Sequence, residues 1–293
     1  MTDAPLVDPG PGTDDRSDSS PELRPTDLPP ALLARARSFY GSGATPTVPR
    51  LAATVLLLRP GPSAGQSGRQ AGAHPGGYEV YAIRRVPTML FAAGMYAFPG
   101  GSVDPRDAGA EIRWAGPDAT TWARRLGQTP DQAEAIVCAA VREVFEESGI
   151  LLAGPTGSTV VDDVSGDDWE VERAALVARQ LGFAEFLRAR DLALRADLLA
   201  PWSRWITPEF EPRRYDTYFF LARLPDGQLT RNVGGEADEV RWVRPIERRG
   251  LPMLPPTRAT LKQVDAYGTI DELMAAAAAR DAATPVMPRL VEA

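Results

Sequence analysis

The chain of 293 residues holds one lysine (Lys262), one histidine (His74) and one cysteine (Cys138). Each scarcity removes a class of chemistry. A single cysteine forms no intrachain disulfide and is compatible with a reducing compartment. Lys262 stands in Thr260-Leu261-Lys262-Gln263 and not in a Gly-rich loop, which excludes a P-loop. His74 lies in the Gly-rich stretch 72–77, a poor place to fix the base of a Ser/His/Asp triad. A Cys/His zinc site lacks donors. Apolar runs are short: residues 51–58 have the length of a strand, and no run spans a bilayer. The net charge of −7 argues against a surface that tracks nucleic-acid phosphates. The first residues are acidic and rich in Pro and Ser, without the basic start and apolar core of a secretory signal. Leu290-Val291-Glu292-Ala293 is not a peroxisomal address. The expectation is a cytoplasmic protein with neither a membrane nor a nucleic-acid partner. Carboxylates, arginines, hydroxyls and a bound cation remain as catalytic equipment.

Hydrophobic patterning divides the chain. Residues 1–45 are expected to form a disordered N-terminal segment, although residues 28–40 carry a short helical pattern behind Pro29 and Pro30. Residues 46–281 read as one domain, and 282–293 as a frayed tail. Strands are expected at 51–58, 78–85, 95–98, 202–206, 215–224 and 240–243. The first two make a hairpin around the Gly-rich loop 61–77. Helical patterns cover 131–148, 167–195 and 256–274, with a break near Gly268 and an extension through the alanine tract 275–279. Residues 120–126 are weakly helical. Interleaved strands and clustered helices indicate an α+β fold with αβα layers and not a doubly wound sheet.

The helix over 131–148 carries the chemistry. Asp131 is its expected cap and Gly149 its stop. Glu143, Glu146 and Glu147 fall at i, i+3 and i+4, so they project from one face and repel one another. A hard, oxygen-preferring cation such as Mg²⁺ or Mn²⁺ resolves that conflict. Arg142 lies four residues before Glu146 and can hold its carboxylate. Acidic clusters on helices are usually solvated faces. Here apolar neighbours (Val141, Val144, Phe145) and the apolar run 150–152 weigh against that reading.

The segment Glu134-(x7)-Arg142-Glu143-Val144-x-Glu146-Glu147-x-Gly149-Ile150 resembles the second half of the Nudix box, G-x5-E-x7-R-E-U-x-E-E-x-G-U with U apolar. Phe98-Pro99-Gly100-Gly101 is similar to the strand end and glycine that open it. The family pattern puts five residues between glycine and first glutamate; here residues 102–133 intervene. A long insertion inside the box is similar to the coenzyme A diphosphatase branch. So are Trp202-Ser203-Arg204-Trp205-Ile206-Thr207-Pro208 and Arg213-Arg214-Tyr215-Asp216-Thr217. The stretch Arg84-Arg85-Val86-Pro87 onward departs from that branch, lacking a basic residue between Arg85 and Gly94.

The resemblance implies a Nudix-like α/β/α sandwich with a mixed sheet, added helices and a helical insertion at about 155–200. It implies a metal-dependent hydrolase that splits a diphosphate in a small nucleotide-linked substrate. Coenzyme A or acyl-coenzyme A comes first; ADP-ribose, a dinucleotide, a nucleotide sugar, or a non-catalytic nucleotide-binding module stay open. Glu143, Glu146 and Glu147 are the implied metal ligands, with Arg142, Glu143 and Glu146 catalytic and Gly101, Glu134 and Gly149 structural. Glu134 is nine residues from Glu143, the opposite face of a continuous helix, and reads equally well as a surface glutamate. Glu236 or Glu239 is a candidate distal carboxylate, against a solvated acidic turn. Arg213 and Arg214 either grip phosphate or flank a strand. The insertion 102–133 shapes either the pocket or a homodimer contact.

Overall fold

A computed structural model describes residues 22–25, 28–62, 77–88, 92–107, 112–232 and 237–291. His74, Glu236 and most of the loop 61–77 lie outside the described residues.

In chain order the elements are β1 (Glu22–Leu23), α1 (Pro30–Ser42), β2 (Arg50–Pro60), β3 (Tyr78–Arg85), β4 (Tyr96–Ala97), β5 (Gly100–Ser102), β6 (Trp114–Ala115), α2 (Ala119–Leu126), α3 (Pro130–Ser148) and β7 (Ala153–Gly154). There follow α4 (Asp167–Val177), α5 (Phe183–Ala189), β8 (Ala193–Arg195), β9 (Leu199–Ile206), β10 (Tyr215–Arg223), β11 (Ala237–Val243), α6 (Pro255–Val264), α7 (Ile270–Ala277), β12 (Pro285–Val286) and β13 (Arg289–Leu290).

The apolar run 51–58 becomes the middle of the main sheet. β2 pairs with β10 in parallel, and with β3 and β5 antiparallel. The strand path is β11-β3-β2-β10-β9-β12, with β4 and β5 added at its side. Such a central strand is buried on both faces, which is why it reads as continuous and not alternating. Ala53, Val55 and Leu57 face one core together with Ile136, Ala140 and Val144 of α3. Leu56 and Leu58 face the other, with Leu261 and Val264 of α6 and Leu273 of α7. The result is the expected α/β/α sandwich with a mixed sheet. No described helix is long and apolar enough to cross a membrane.

Two expectations change and one is sharpened. The segment 1–45 was expected to be disordered apart from a helical pattern over 28–40; α1 forms there, at residues 30–42, with Pro30 at its first turn and Gly43 closing it at φ 66°. The tail is not frayed over 282–290: β12 extends the sheet beside β9, and β13 pairs with β1. The helical pattern over 167–195 ends early. β8 pairs with β6 and β7 in a second, three-stranded sheet that ties the helical insertion to the insertion 102–133.

Candidate active site

α3 is anchored at both ends. Thr129, two residues before the expected cap, accepts from Gln132 N, and the Gln132 side chain returns to the Thr129 amide. Pro130 occupies the first turn, where its missing N–H costs nothing. Asp131 lies in that first turn, and Gly149 ends the helix at φ 71°. A side chain at Gly149 would also meet the Arg231 guanidinium, 2.8 Å away.

The last turns of α3 bring Arg142, Glu143, Glu146 and Glu147 to the floor of a cleft of about 1100 Å³. β5 closes over them. Gly101 packs so tightly on Glu143 that a Cβ there would lie 2.7 Å from the carboxyl carbon. Gly100 N donates to Glu147 Oε2 at 2.7 Å. Gly101 is therefore demanded by the approach of the Glu143 carboxylate, and Gly100 by the β2 strand, where a Cβ would lie 2.5 Å from Ala53 O.

Arg142 knits the site together. Its Nη1 donates to Glu143 Oε1 at 2.8 Å and to Glu146 Oε1 at 3.2 Å. Its Nε and Nη2 reach Asp107, at 3.1 and 3.0 Å, and Nη2 also donates to Ser102 O at 2.9 Å. Burial acts to lower the Arg142 pKa, but the charges of Glu143, Asp107 and Glu146 overcome it and raise the pKa above its ordinary value. Burial pushes the Glu143 carboxyl up to about 7; Glu146 and Asp107 add to this, and Arg142 opposes it. Glu146 is raised in the same way, by burial first and Asp107 next, against Arg142 and Arg179.

The donor set is all oxygen, from the buried Glu143 and the half-buried Glu146 and Glu147 crowded on one helical turn, with Glu143 and Glu146 drawing on a single Nη1. That chemistry fits a hard divalent cation. In the present arrangement these side chains turn to Arg142 and to Gly100 N. Among the described residues no three His, Cys, Asp or Glu side chains are gathered into a ligand shell.

The other expected residues are placed elsewhere. Glu134 is half-buried and does not line the cleft. Asp238 and Glu239 pair with Arg84, at 2.7 and 2.9 Å, away from the cleft. Arg213 is exposed. Arg214 is buried and donates to Thr207 O and Thr47 O at 3.0 and 2.8 Å, so it braces two loops. Basic groups on the cleft wall are instead Arg50, Arg85, Arg106 and Arg179. Arg106 grips Asp104 and donates to Arg179 O, and Arg179 holds the left-handed conformation at φ 58°. The cleft is also lined by apolar side chains: Leu32 of α1, Trp205 and Ile206 of β9, Phe210, Phe219 and Leu254. Sequence reasoning missed Asp107 and the cleft arginines. Asp107 had a signal in its distance from Gly101; the arginines had none, because their convergence is tertiary.

A family model described as "NUDT19 Nudix domain" matches residues 116–251. The span includes Arg142, Glu143, Glu146 and Glu147 and begins after Gly101 and Asp107. The chain is 31% identical over 215 residues to the acyl-coenzyme A diphosphatase NUDT19 of Gallus gallus, covering 60% of this chain and 55% of that protein. It is 29% identical over 170 residues to putative nudix hydrolase 7 of Caenorhabditis elegans, covering 57% and 47%. The chain thus spans about half the length of these curated relatives. A crystal structure of a NUDIX hydrolase from Alicyclobacillus acidocaldarius matches with a TM-score of 0.61 and 29% identity, over 78% of this chain and 96% of that one.

Proposed function

Because this chain belongs to the Nudix hydrolase superfamily, we propose that it hydrolyses the diphosphate bond of a nucleoside-diphosphate-linked compound, with coenzyme A or acyl-coenzyme A as the substrate. The observation that carries this is that Arg142 holds Glu143 and Glu146 while Gly100 N holds Glu147, all three carboxylates lining one cleft.

Glu143, Glu146 and Glu147 would hold one or more Mg²⁺ or Mn²⁺ ions. Bound there, the metal would neutralise phosphate charge and lower the pKa of an attacking water. Arg142 fixes the directions of Glu143 and Glu146. Glu143, the most buried of the three carboxylates, or a distal glutamate would accept the proton from water. Arg85 and Arg179 on the cleft wall would orient the phosphates. The preference for coenzyme A rests on three supports: the Trp202–Pro208 and Arg213–Thr217 stretches, the similarity to the acyl-coenzyme A diphosphatase of Gallus gallus, and the apolar side chains lining the cleft, which suit a pantetheine or acyl chain. The reading assigns a cytoplasmic enzyme with a small molecule as its partner. ADP-ribose, dinucleotides and nucleotide sugars are the competing substrates.

The test is a panel of these diphosphates incubated with Mg²⁺ or Mn²⁺, wild type beside Glu146→Gln. Turnover of one class, reduced in the variant by about 100-fold or more, supports the assignment. Tight nucleotide binding without products would identify a binding module instead.

A further inference from the structure

Five residues stand between Gly101 and Asp107. That is the spacing which separates the glycine from the first glutamate in the box pattern. Asp107 sits at the end of a short 3₁₀ turn, residues 105–107, with 3% of its surface exposed. Its carboxylate accepts Asp104 N at 2.8 Å and is gripped on two sides by Arg142. The hydrogen-bond partners of Arg142 are Asp107, Ser102, Glu143 and Glu146. Glu134, which has the spacing of the motif's first glutamate relative to Arg142, is not among them and does not line the cleft.

We propose that Asp107, and not Glu134, serves as the first carboxylate of the motif in this chain, as a positioning residue that acts through Arg142. A guanidinium is planar, and its donors leave it at fixed angles. With Nε and Nη2 held by Asp107, Nη1 has one direction left, and that direction is the gap between Glu143 and Glu146. Without Asp107 the guanidinium could rotate and pair end-on with either glutamate, which would blur the carboxylates meant for the metal. A group one bond beyond a ligand commonly sets that ligand's orientation. The insertion then interrupts the box after its first acid, at residues 108–134, and not between the glycine and the acid. This rests on the reading of Glu143 and Glu146 as metal-holding groups.

The test compares Asp107→Asn, Asp107→Glu and Glu134→Gln with wild type, each checked for folding by circular dichroism. The first readout needs no metal. The Arg142 Nε–H signal in a ¹⁵N correlation spectrum, assigned by its absence in Arg142→Lys, is expected to be protected from water exchange in wild type and in Glu134→Gln. It is expected to lose protection in Asp107→Asn. The second readout is Mn²⁺ affinity by electron paramagnetic resonance: about 10-fold weaker in Asp107→Asn, within about twofold of wild type in Glu134→Gln, and partly restored in Asp107→Glu. In turnover, Asp107→Asn is expected to lower kcat with little change in KM. The proposal is overturned if folded Asp107→Asn keeps both the protected signal and wild-type Mn²⁺ affinity, or if Glu134→Gln loses them. Should Asp107→Asn not fold, the Arg142 signal in Asp107→Glu and in Glu134→Gln decides between the two acids. A wild-type protein that binds no Mn²⁺ sinks the functional reading, while the Arg142 signal still decides the positioning.

Discussion

At the scale of single residues the site is set by close approach. Gly101 leaves room for the Glu143 carboxylate, and Gly100 supplies the amide that holds Glu147. Replacing Gly101 by Ala puts a methyl group where Glu143 now lies. Glu143 must move, and a shift of about 1 Å at a reacting group costs on the order of 100-fold in rate. The expected outcome for Gly101→Ala is such a loss of kcat in a protein whose circular dichroism spectrum matches wild type. The sequence made these residues legible because their spacing is local: carboxylates at i, i+3 and i+4 share a face whatever the helix packs against. Arg85, Arg106 and Arg179 were not legible, because they come from a strand, a 3₁₀ turn and the loop after a helix, and only the fold brings them to one cleft. For Arg214 the sequence left gripping phosphate and flanking a strand both open, and the backbone carbonyls of Thr47 and Thr207 take its donors.

At the scale of elements, α3 is a rigid mount for its carboxylates. Its capping box at Thr129 satisfies amides that helix geometry leaves bare. Thr129→Ala is expected to destabilise the protein by about 1 kcal/mol, read by urea unfolding. Gly149→Ala combines a left-handed backbone, which costs an L residue about 1–2 kcal/mol, with a clash against Arg231. It is expected to be the more harmful of the two in the same measurement. β2 is the other mount. Leu57 is fully buried between the sheet and the α3 layer, so Leu57→Ala is expected to cost about 2–5 kcal/mol. The long strands and α3 were visible in the sequence through hydrophobic runs and caps. The small strands β6, β7 and β8 were not, since two or three residues carry no periodicity. β12 and β13 were missed because Pro285 lies in β12 and Pro288 immediately precedes β13, and proline normally argues against a strand. Here Pro285 lies on the outermost strand of the sheet, where its missing N–H is tolerated.

The molecule as a whole places two cores on either side of one sheet, with a cleft at the end of α3 lined by charged and apolar side chains. Several tyrosines lock these layers. Tyr218 donates to Leu126 O at 3.2 Å and accepts from Gln128 at 2.6 Å. Burial pushes its phenol up to about 12, against the hydrogen bond from Gln128. Burial also raises Tyr78 and Tyr81. The fold therefore keeps phenolic protons that the unfolded chain releases. Their contribution to stability is complete below about pH 10 and declines as pH rises towards the folded values. Denaturant titrations at increasing pH are expected to show that alkaline loss, with a shallower slope in Tyr218→Phe. The substrate assignment, in contrast, depends on two kinds of lining in the cleft acting together: carboxylates and arginines, and the apolar Trp205, Ile206 and Phe210. Incubation of the wild-type protein with coenzyme A and Mg²⁺ or Mn²⁺, with products identified by mass spectrometry, addresses both at once. The expected result is cleavage within the diphosphate to 4′-phosphopantetheine and 3′,5′-ADP, abolished by a chelator and in Glu146→Gln. Coenzyme A left intact under conditions in which another diphosphate is split would refute the substrate assignment. No turnover of any diphosphate, or equal turnover by Glu146→Gln, would contradict the role of the α3 carboxylates themselves.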